Sequence, residues 1–212
     1  MLFRSSPSDD VVPRISWRGD SAFFTVSSLD AARRTLRIFT RVGVLSSTSE
    51  PTAGLEHVLA WQPSGSIIAA SQRTPPAEAG GRNAHHVVFF ERNGLRRYEF
   101  ALREQGDASV VRELAWNAES TLLAVWIERP EGHVGASARE CFALVTRTDH
   151  VCGPAVQIWH RNNYHWYLKQ EIAPRLSGNG KVTSVVWHPE NGLELYLTTT
   201  SEQPRLSSID TF

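Results

Sequence analysis

The sequence predicts an all-β chain: an incomplete WD40-type β-propeller of about three and a half blades. Three observations predict it. A unit made of an apolar residue, Trp, a polar turn and a β-rich run recurs four times. A further β-rich run follows three of those units. No window sustains 3.6-residue apolar spacing, and Gly and Pro recur at short intervals.

The first unit is ISWRGDSAFFTVSS from Ile15, followed by TLRIFTR from Thr35. The second is LAWQPSGSIIAASQ from Leu59, followed by HVVFFERNG from His86 and LRRYEFALRE from Leu95. The third is LAWNAESTLLAVWI from Leu114, followed by VQIWHRNN from Val156 and YHWYLKQEI from Tyr164. The fourth is VVWHPENGLELYLTT from Val185, and the pattern predicts that it stops after this hairpin. Each unit reads as two strands around a turn rich in Gly, Pro, Asn, Asp or Ser, as in Pro63-Ser64-Gly65 and Pro189-Glu190-Asn191-Gly192. The Trp that closes the first strand (Trp17, Trp61, Trp116, Trp187) is expected to pack between neighbouring sheets, where a large aromatic buries much area.

The run after each hairpin stands where a WD40 blade ends its third strand in Trp-Asp. Here the pairs are Phe39-Thr40, Phe90-Glu91 and Trp159-His160, so the aromatic is kept and the Asp lost. Turns at Asn93-Gly94 and Asn162-Asn163 lead to fourth strands. The tryptophans fall 44, 55 and 71 residues apart. The first spacing fits a blade of about 40–45 residues. The others imply insertions between second and third strands: RTPPAEAGGRNA in the second blade, and the 128–155 stretch in the third. Both read as exposed loops. A β-sandwich is the structural rival, since it too strings short strands at regular intervals. The Trp-turn-strand repeat favours the propeller. Residues 1–8 read as a disordered N-terminal segment, 9–200 as the partial propeller, and 201–212 as a tail or truncated blade. Propellers close with about 4–8 blades, so the count predicts part of a larger, seven-bladed-type ring.

The chain has 212 residues, 41% of them hydrophobic and 21% charged, with a formal net charge of zero. That balance gives no sign of a nucleic-acid or membrane partner. Only Lys169 and Lys181 are lysines; the other cations are arginines. Cys141 and Cys152 make no disulfide framework. The N-terminal MLFRSSPSDD lacks the apolar stretch of a secretory signal, and no window reads as a membrane span. The expected location is the cytoplasm, with the nucleus as a second.

Six motifs invite a chemical reading. Arg18-Gly19-Asp20 spells an integrin-type tripeptide but falls on a hairpin turn, where Gly and Asp serve the backbone. His85-His86 are adjacent on a strand and so point to opposite faces, which makes a poor chelating pair. Cys141, His150 and Cys152 lack metal-site spacing, and Gly80-Gly81-Arg82 reads as a loop tip and not a phosphate cradle. Arg33-Arg34, Arg37 and Arg41 form one basic cluster, and Arg96-Arg97 beside Tyr98 another. Such clusters serve either RNA contact or a solvated strand edge, and the edge is favoured. Trp126, Trp159, Trp166 and Tyr167 read as inter-blade core before a stacking platform. No nucleophile elbow, Walker motif or GxGxxG is present. No catalytic, cofactor-binding or metal-ligating residue is therefore predicted, no cofactor or small-molecule substrate is expected, and the chain is read as a non-enzyme.

PRISWRGDSAFFTVSS, STSEPTAGLEHVLAWQPSGSIIAASQ, VVFFERNGLRRYEF, LAWNAESTLLAVW and NYHWYLKQ together resemble one family, the largest, scaffolding subunit of the eukaryotic Elongator complex. The resemblance runs in order from about Asp9 to Thr200, apart from the insertions; CFALVTRTDHVCGPA has no counterpart in it. It implies a subunit with two N-terminal propellers and a C-terminal helical repeat region. That subunit holds together a complex that modifies wobble uridines of transfer RNA, with the chemistry on a different, radical-SAM and acetyltransferase-like subunit. This chain is similar to the later blades of the first propeller. The implied partners are other Elongator subunits, with a weak transfer-RNA contact as a further expectation. The alternatives are an RNA-binding propeller module using the Arg-rich surface, and an unrelated WD40 adaptor.

Overall fold

The computed structural model describes residues 13–30, 33–65, 67–74, 84–103, 109–129, 154–173, 181–200 and 206–208. The first sheet comprises β1 (Arg14–Trp17), β2 (Phe23–Asp30), β3 (Arg33–Thr40) and β4 (Leu45–Thr48). The second comprises β5 (Leu55–Trp61), β6 (Ile67–Thr74), β7 (Ala84–Glu91) and β8 (Arg96–Ala101). The third comprises β9 (Val110–Trp116), β10 (Leu122–Glu128), β11 (Ala155–Asn162) and β12 (His165–Ile172). The fourth comprises β13 (Val182–Trp187), β14 (Glu194–Thr199) and β15 (Leu206–Ser208). Each is an antiparallel meander in chain order.

The sheets stand side by side. The first strands carry the contacts, β1 on β5, β5 on β9 and β9 on β13, so they line the inside of an arc. This is a propeller and not a sandwich, in which two large sheets would face each other. The fourth sheet extends the prediction: β15 adds a third strand beyond the expected hairpin. Its three residues, Leu-Ser-Ser, are too few and too polar to read as a strand.

Three apolar cores lie between consecutive sheets. Leu36 and Ile38 meet Trp61, Ile68 and Phe90. Phe89, Val87 and Val58 meet Leu114, Leu123, Val125 and Trp159. Leu122, Ala124 and Ile158 meet Val185, Trp187 and Leu195. The second sheet has a neighbour on each side, which is why β6 and β7 are largely buried on both faces. Its outer strand β8 alternates between exposed and half-buried residues.

Pairing of third with fourth strands breaks register at one repeated place: Ile38/Phe39, Phe89/Phe90 and Ile158/Trp159. Each shift falls at the aromatic that replaces the WD40 Trp. A bulge there sharpens strand twist as a blade needs.

Meander topology sorts the connections onto two rims. Turns after first and third strands share one rim. Links after second strands, and from one sheet to the next, share the other. Thr74 and Ala84, and Arg129 and Pro154, end the described stretches at this second rim. Gly80-Gly81-Arg82, Cys141, His150, Cys152 and residues 1–8 lie outside the described residues.

Candidate interaction surface

The turn rim is built from the residue that follows each strand-ending Trp. Gln62 Nε2 donates to the Ser120 carbonyl of the third sheet's turn at 3.1 Å, and Ser120 Oγ accepts from Ser64 N at 3.0 Å. One sheet further, Asn117 Nδ2 donates to the Gly192 carbonyl of the fourth sheet's turn at 3.1 Å. Asn117 Oδ1 accepts from the backbone of Thr121 and Leu122 at 2.9 Å each. Asn117 is fully buried, so its amide fixes its own hairpin and the next one together.

Arg18-Gly19-Asp20 opens this row. A Cβ on Gly19 would stand 2.5 Å from the Pro63 carbonyl oxygen, so glycine is what lets the first turn rest on the second. Asp20 Oδ1 accepts from Ala22 N at 2.9 Å, an Asx-type turn, and Asp20 is ion-paired with Arg18. The Arg18 hydrogen bond, with that of Ala22, holds the Asp20 carboxyl down at about 2. All three residues of the tripeptide thus serve the turn.

Arginines in or just before the turns after third strands add braces. The Arg92 guanidinium lies 4.8 Å over the Phe23 ring of the first sheet, and Arg18 covers the same ring at the same distance. Arg161 repeats the device one sheet on, 4.8 Å over Tyr98 and donating to its hydroxyl at 2.9 Å. Gly94 (φ +84°) lets its turn close onto β4, where a Cβ would meet the Thr48 carbonyl oxygen at 2.6 Å. Val42, Val44, Leu95, Tyr164 and Leu193 stand exposed along this rim.

The basic clusters divide differently from the expectation. Arg33, Arg34 and Arg37 lie on β3, an interior strand, so they blunt no sheet edge. Arg34 is fully buried, Arg37 bonds Ser28 Oγ at 2.6 Å and pairs with Asp30 at 3.4 Å, and Arg41 is exposed. Arg96-Arg97 do lie on an outer strand, but each is paired, Arg96 with Glu99 and Arg97 with Glu91 at 2.7 Å.

The aromatic group also splits. Trp159 is buried, Trp166 packs on the core between the second and third sheets, and Trp126 packs on the next. Tyr167 is exposed, because on β12 it alternates with Trp166 and Leu168, which face the core. Trp17, expected between sheets, is half-exposed, since among the described residues no sheet covers its side of the first blade.

Adjacent histidines diverge as the strand period requires. His86 stays half-exposed, with Nδ1 3.2 Å from Thr74 Oγ1, whereas His85 is buried. His85 Nδ1 lies 3.9 Å from the buried Glu56 carboxylate, which is 3.4 Å from Arg73. Burial, with Arg73 adding to it, pushes His85 down to about 4. Burial also pushes Glu56 up, against the pull of Arg73. Arg73 Nη2 reaches on to the Ser109 carbonyl at 2.6 Å, so this polar group ties the second sheet to the start of the third. The sequence drew notice to His85 but not to Glu56 or Arg73; their only signal is a charged residue inside an otherwise apolar strand. Among the described residues no three His, Cys, Asp or Glu side chains gather as metal ligands.

The arc of four meanders, with a Trp closing each inner strand and turns that interlock along one rim, defines a WD40-type propeller segment. The description "ELP1 first N-terminal beta-propeller" matches residues 4–190. An elongator complex protein 1 sequence from Xenopus laevis is 40% identical over 196 residues, covering 92% of this chain and 15% of its own length. The Oryctolagus cuniculus protein is 40% identical over 185 residues (86% and 12%), and that of Saccharomyces cerevisiae 38% over 192 (85% and 12%). The chain belongs to the family of the first N-terminal β-propeller of elongator complex protein 1. It spans roughly an eighth of the length of those relatives. Among solved structures, a prolyl endopeptidase has a TM-score of 0.54 at 12% identity, covering 92% of this chain and 27% of its own. TolB from Acinetobacter baumannii has 0.51 at 12% identity (93% and 41%). Identities this low show a shared fold alone.

Proposed function

We propose that the chain is a non-catalytic scaffold segment of the Elongator complex. It presents its rims to other subunits of the assembly that modifies wobble uridines of transfer RNA, in the cytoplasm and secondarily in the nucleus. The observation that carries this reading is the family match over residues 4–190. The geometry supports it. Polar side chains along the turn rim are committed to joining one blade to the next, as in Gln62, Asn117 and Arg161, which suits a rigid platform. Exposed Val42, Val44, Leu95 and Tyr164 supply apolar contact points on that platform. The RNA-binding alternative draws less support, because Arg34 is buried and Arg37, Arg96 and Arg97 are paired with carboxylates.

Affinity purification of the tagged gene product, with mass spectrometry of what accompanies it, tests the reading. The expected result is co-recovery of the other Elongator subunits. A well-expressed bait that brings none of them down overturns it, and salt-sensitive capture of RNA alone would favour the RNA-binding module.

A further inference from the structure

The turns after third strands share one design, and it presents the same two side chains each time. In the second sheet the chain runs Phe90-Glu91-Arg92-Asn93-Gly94-Leu95, and in the third Trp159-His160-Arg161-Asn162-Asn163-Tyr164. Each places an Arg two residues after the third-strand aromatic. A residue of positive φ follows two positions later, Gly94 at +84° and Asn163 at +47°, and an apolar side chain comes next. Phe39, Arg41, Gly43 and Val44 keep the same order in the first sheet. Only the second and third sheets have a described sheet before them, and Arg92 and Arg161 each rest on a ring of that preceding sheet.

The apolar tips stand in water. Leu95 is 56% exposed and Tyr164 is 88%. Leu95 keeps that exposure with a sheet packed on either side of its own, so the exposure belongs to the turn and not to an end of the arc. Tyr164 is the second residue of a two-residue hairpin, at φ +67°, where Gly is favoured. A bulky residue held there stores backbone strain, and burial within the chain does not offset it. The arginines also differ from their neighbours. Arg96 and Arg97 are paired with Glu99 and Glu91, whereas neither Arg92 nor Arg161 meets a carboxylate among the described residues. Arg161 lies between two rings, 4.8 Å from Tyr98 and 5.6 Å from Tyr164, with Nη1 bonded to the Tyr98 hydroxyl. Its other N–H groups have no acceptor among the described residues.

We propose that these two turns dock an extended acidic segment of a partner protein, its carboxylates on Arg92 and Arg161 and its apolar side chains against Leu95 and Tyr164. This names the kind of partner segment the rim takes, and it rests on the scaffold reading. Charge complementarity chooses the occupant: guanidinium groups without a carboxylate are matched by carboxylates, which they hold through two parallel hydrogen bonds. Tyr and Arg side by side are the residues that carry protein interfaces. The tips are fixed in advance. Gly94 N donates to the Glu91 carbonyl at 2.8 Å and Leu95 N to Asn93 Oδ1 at 2.9 Å, so little ordering opposes binding. Packed sheets lie about 10 Å apart and an extended chain rises about 3.3 Å per residue. The segment therefore repeats an acidic and apolar pair about every three to four residues. RNA fits less well, since a single strand is held on successive aromatic platforms and Leu95 offers none.

Photo-cross-linking in the tagged gene product tests this, with benzoylphenylalanine replacing Leu95 or Tyr164 and the cross-linked residues mapped by mass spectrometry. Both positions are expected to cross-link to one Elongator subunit, in a segment where Asp or Glu and an apolar residue recur at that spacing. A synthetic peptide of the mapped segment is then expected to bind the parent in fluorescence anisotropy. Binding to the Leu95→Asp, Tyr164→Asp double variant should be at least about tenfold weaker. Both side chains are exposed, so the variant is expected to keep the parent's circular dichroism spectrum. Elongator subunits that co-purify without cross-linking at either position overturn this surface and leave the scaffold reading standing. A well-expressed bait that recovers no subunit overturns both. Cross-links to RNA, to lipid or to a segment without carboxylates, or a peptide that binds variant and parent equally, also overturn the proposal.

Discussion

At the residue scale, the Arg-Gly-Asp tripeptide shows how a functional-looking motif is explained by local geometry. The sequence placed it on a hairpin turn. It could not show that Gly19 touches Pro63, because that contact comes from the next blade. Gly19→Ala is expected to lower stability by about 1–3 kcal/mol, the cost of forcing atoms into a closed space; an unchanged denaturant midpoint would mean that the two turns do not meet. His85 makes a second case. Strand alternation separated it from His86, but its buried neighbours Glu56 and Arg73 lie on other strands and were not legible. Its folded value of about 4 lies below the ordinary 6.5. The unfolded imidazole therefore takes a proton that the folded one refuses. The contribution of neutral His85 is complete above pH 6.5 and is lost as pH falls towards 4, by up to about 3 kcal/mol. Glu56 acts in the opposite sense, since burial raises it and its charged form costs stability as pH rises. Urea melts of the parent and His85→Gln between pH 6.5 and 4 should show the steeper loss in the parent; equal slopes would contradict the burial of His85.

At the scale of single elements, the four strand-ending tryptophans look equivalent in sequence and are not equivalent in the structure. Trp116 packs against Phe89 and Trp166, with ring centroids 6.2 and 5.8 Å away, and donates to Ala60. Trp116→Ala should cost about 3–5 kcal/mol. Trp116→Phe keeps an aromatic body and loses the indole donor, so it should cost nearer 1 kcal/mol from that bond. Trp17→Ala removes a ring still half in water, and its cost should fall well below that of Trp116→Ala. Equal costs at Trp17 and Trp116 would refute the assignment of inner and open faces. Asn117 was invisible as a key residue, because an Asn in a turn is common and its second partner, Gly192, lies in the next blade. Asn117→Ala strands several turn groups in a buried place and should cost about 1–3 kcal/mol by chemical denaturation. The strands and third-strand aromatics were legible because period-2 apolar patterning and turn residues are local signals. The bulges at Phe39, Phe90 and Trp159 were not, since register is a property of two strands at once.

For the whole molecule, the arc behaves as a row in which, among the described residues, each sheet packs chiefly on its neighbours. The first sheet contacts the second, the second the third, and the third the fourth. Stability in such a row is close to a sum of sheet terms and joint terms. The Trp repeat made this architecture legible, because a single strand-ending ring recurs where each joint must form. The short β15 escaped notice for want of any side-chain signal. Trp187 sits in the last joint, buried among Leu122, Ala124, Val156 and Ile158 and bonded to Ala115. Trp187→Ala should therefore release the fourth sheet while leaving distant sheets closed. In native-state hydrogen exchange, amides of β13 and β14 should lose protection strongly. Amides of β6 and β7, two joints away and buried on both faces, should keep nearly all of theirs. Uniform loss across all four sheets would mean that the arc unfolds as one cooperative block, and that the joints are stronger than the sheets they connect.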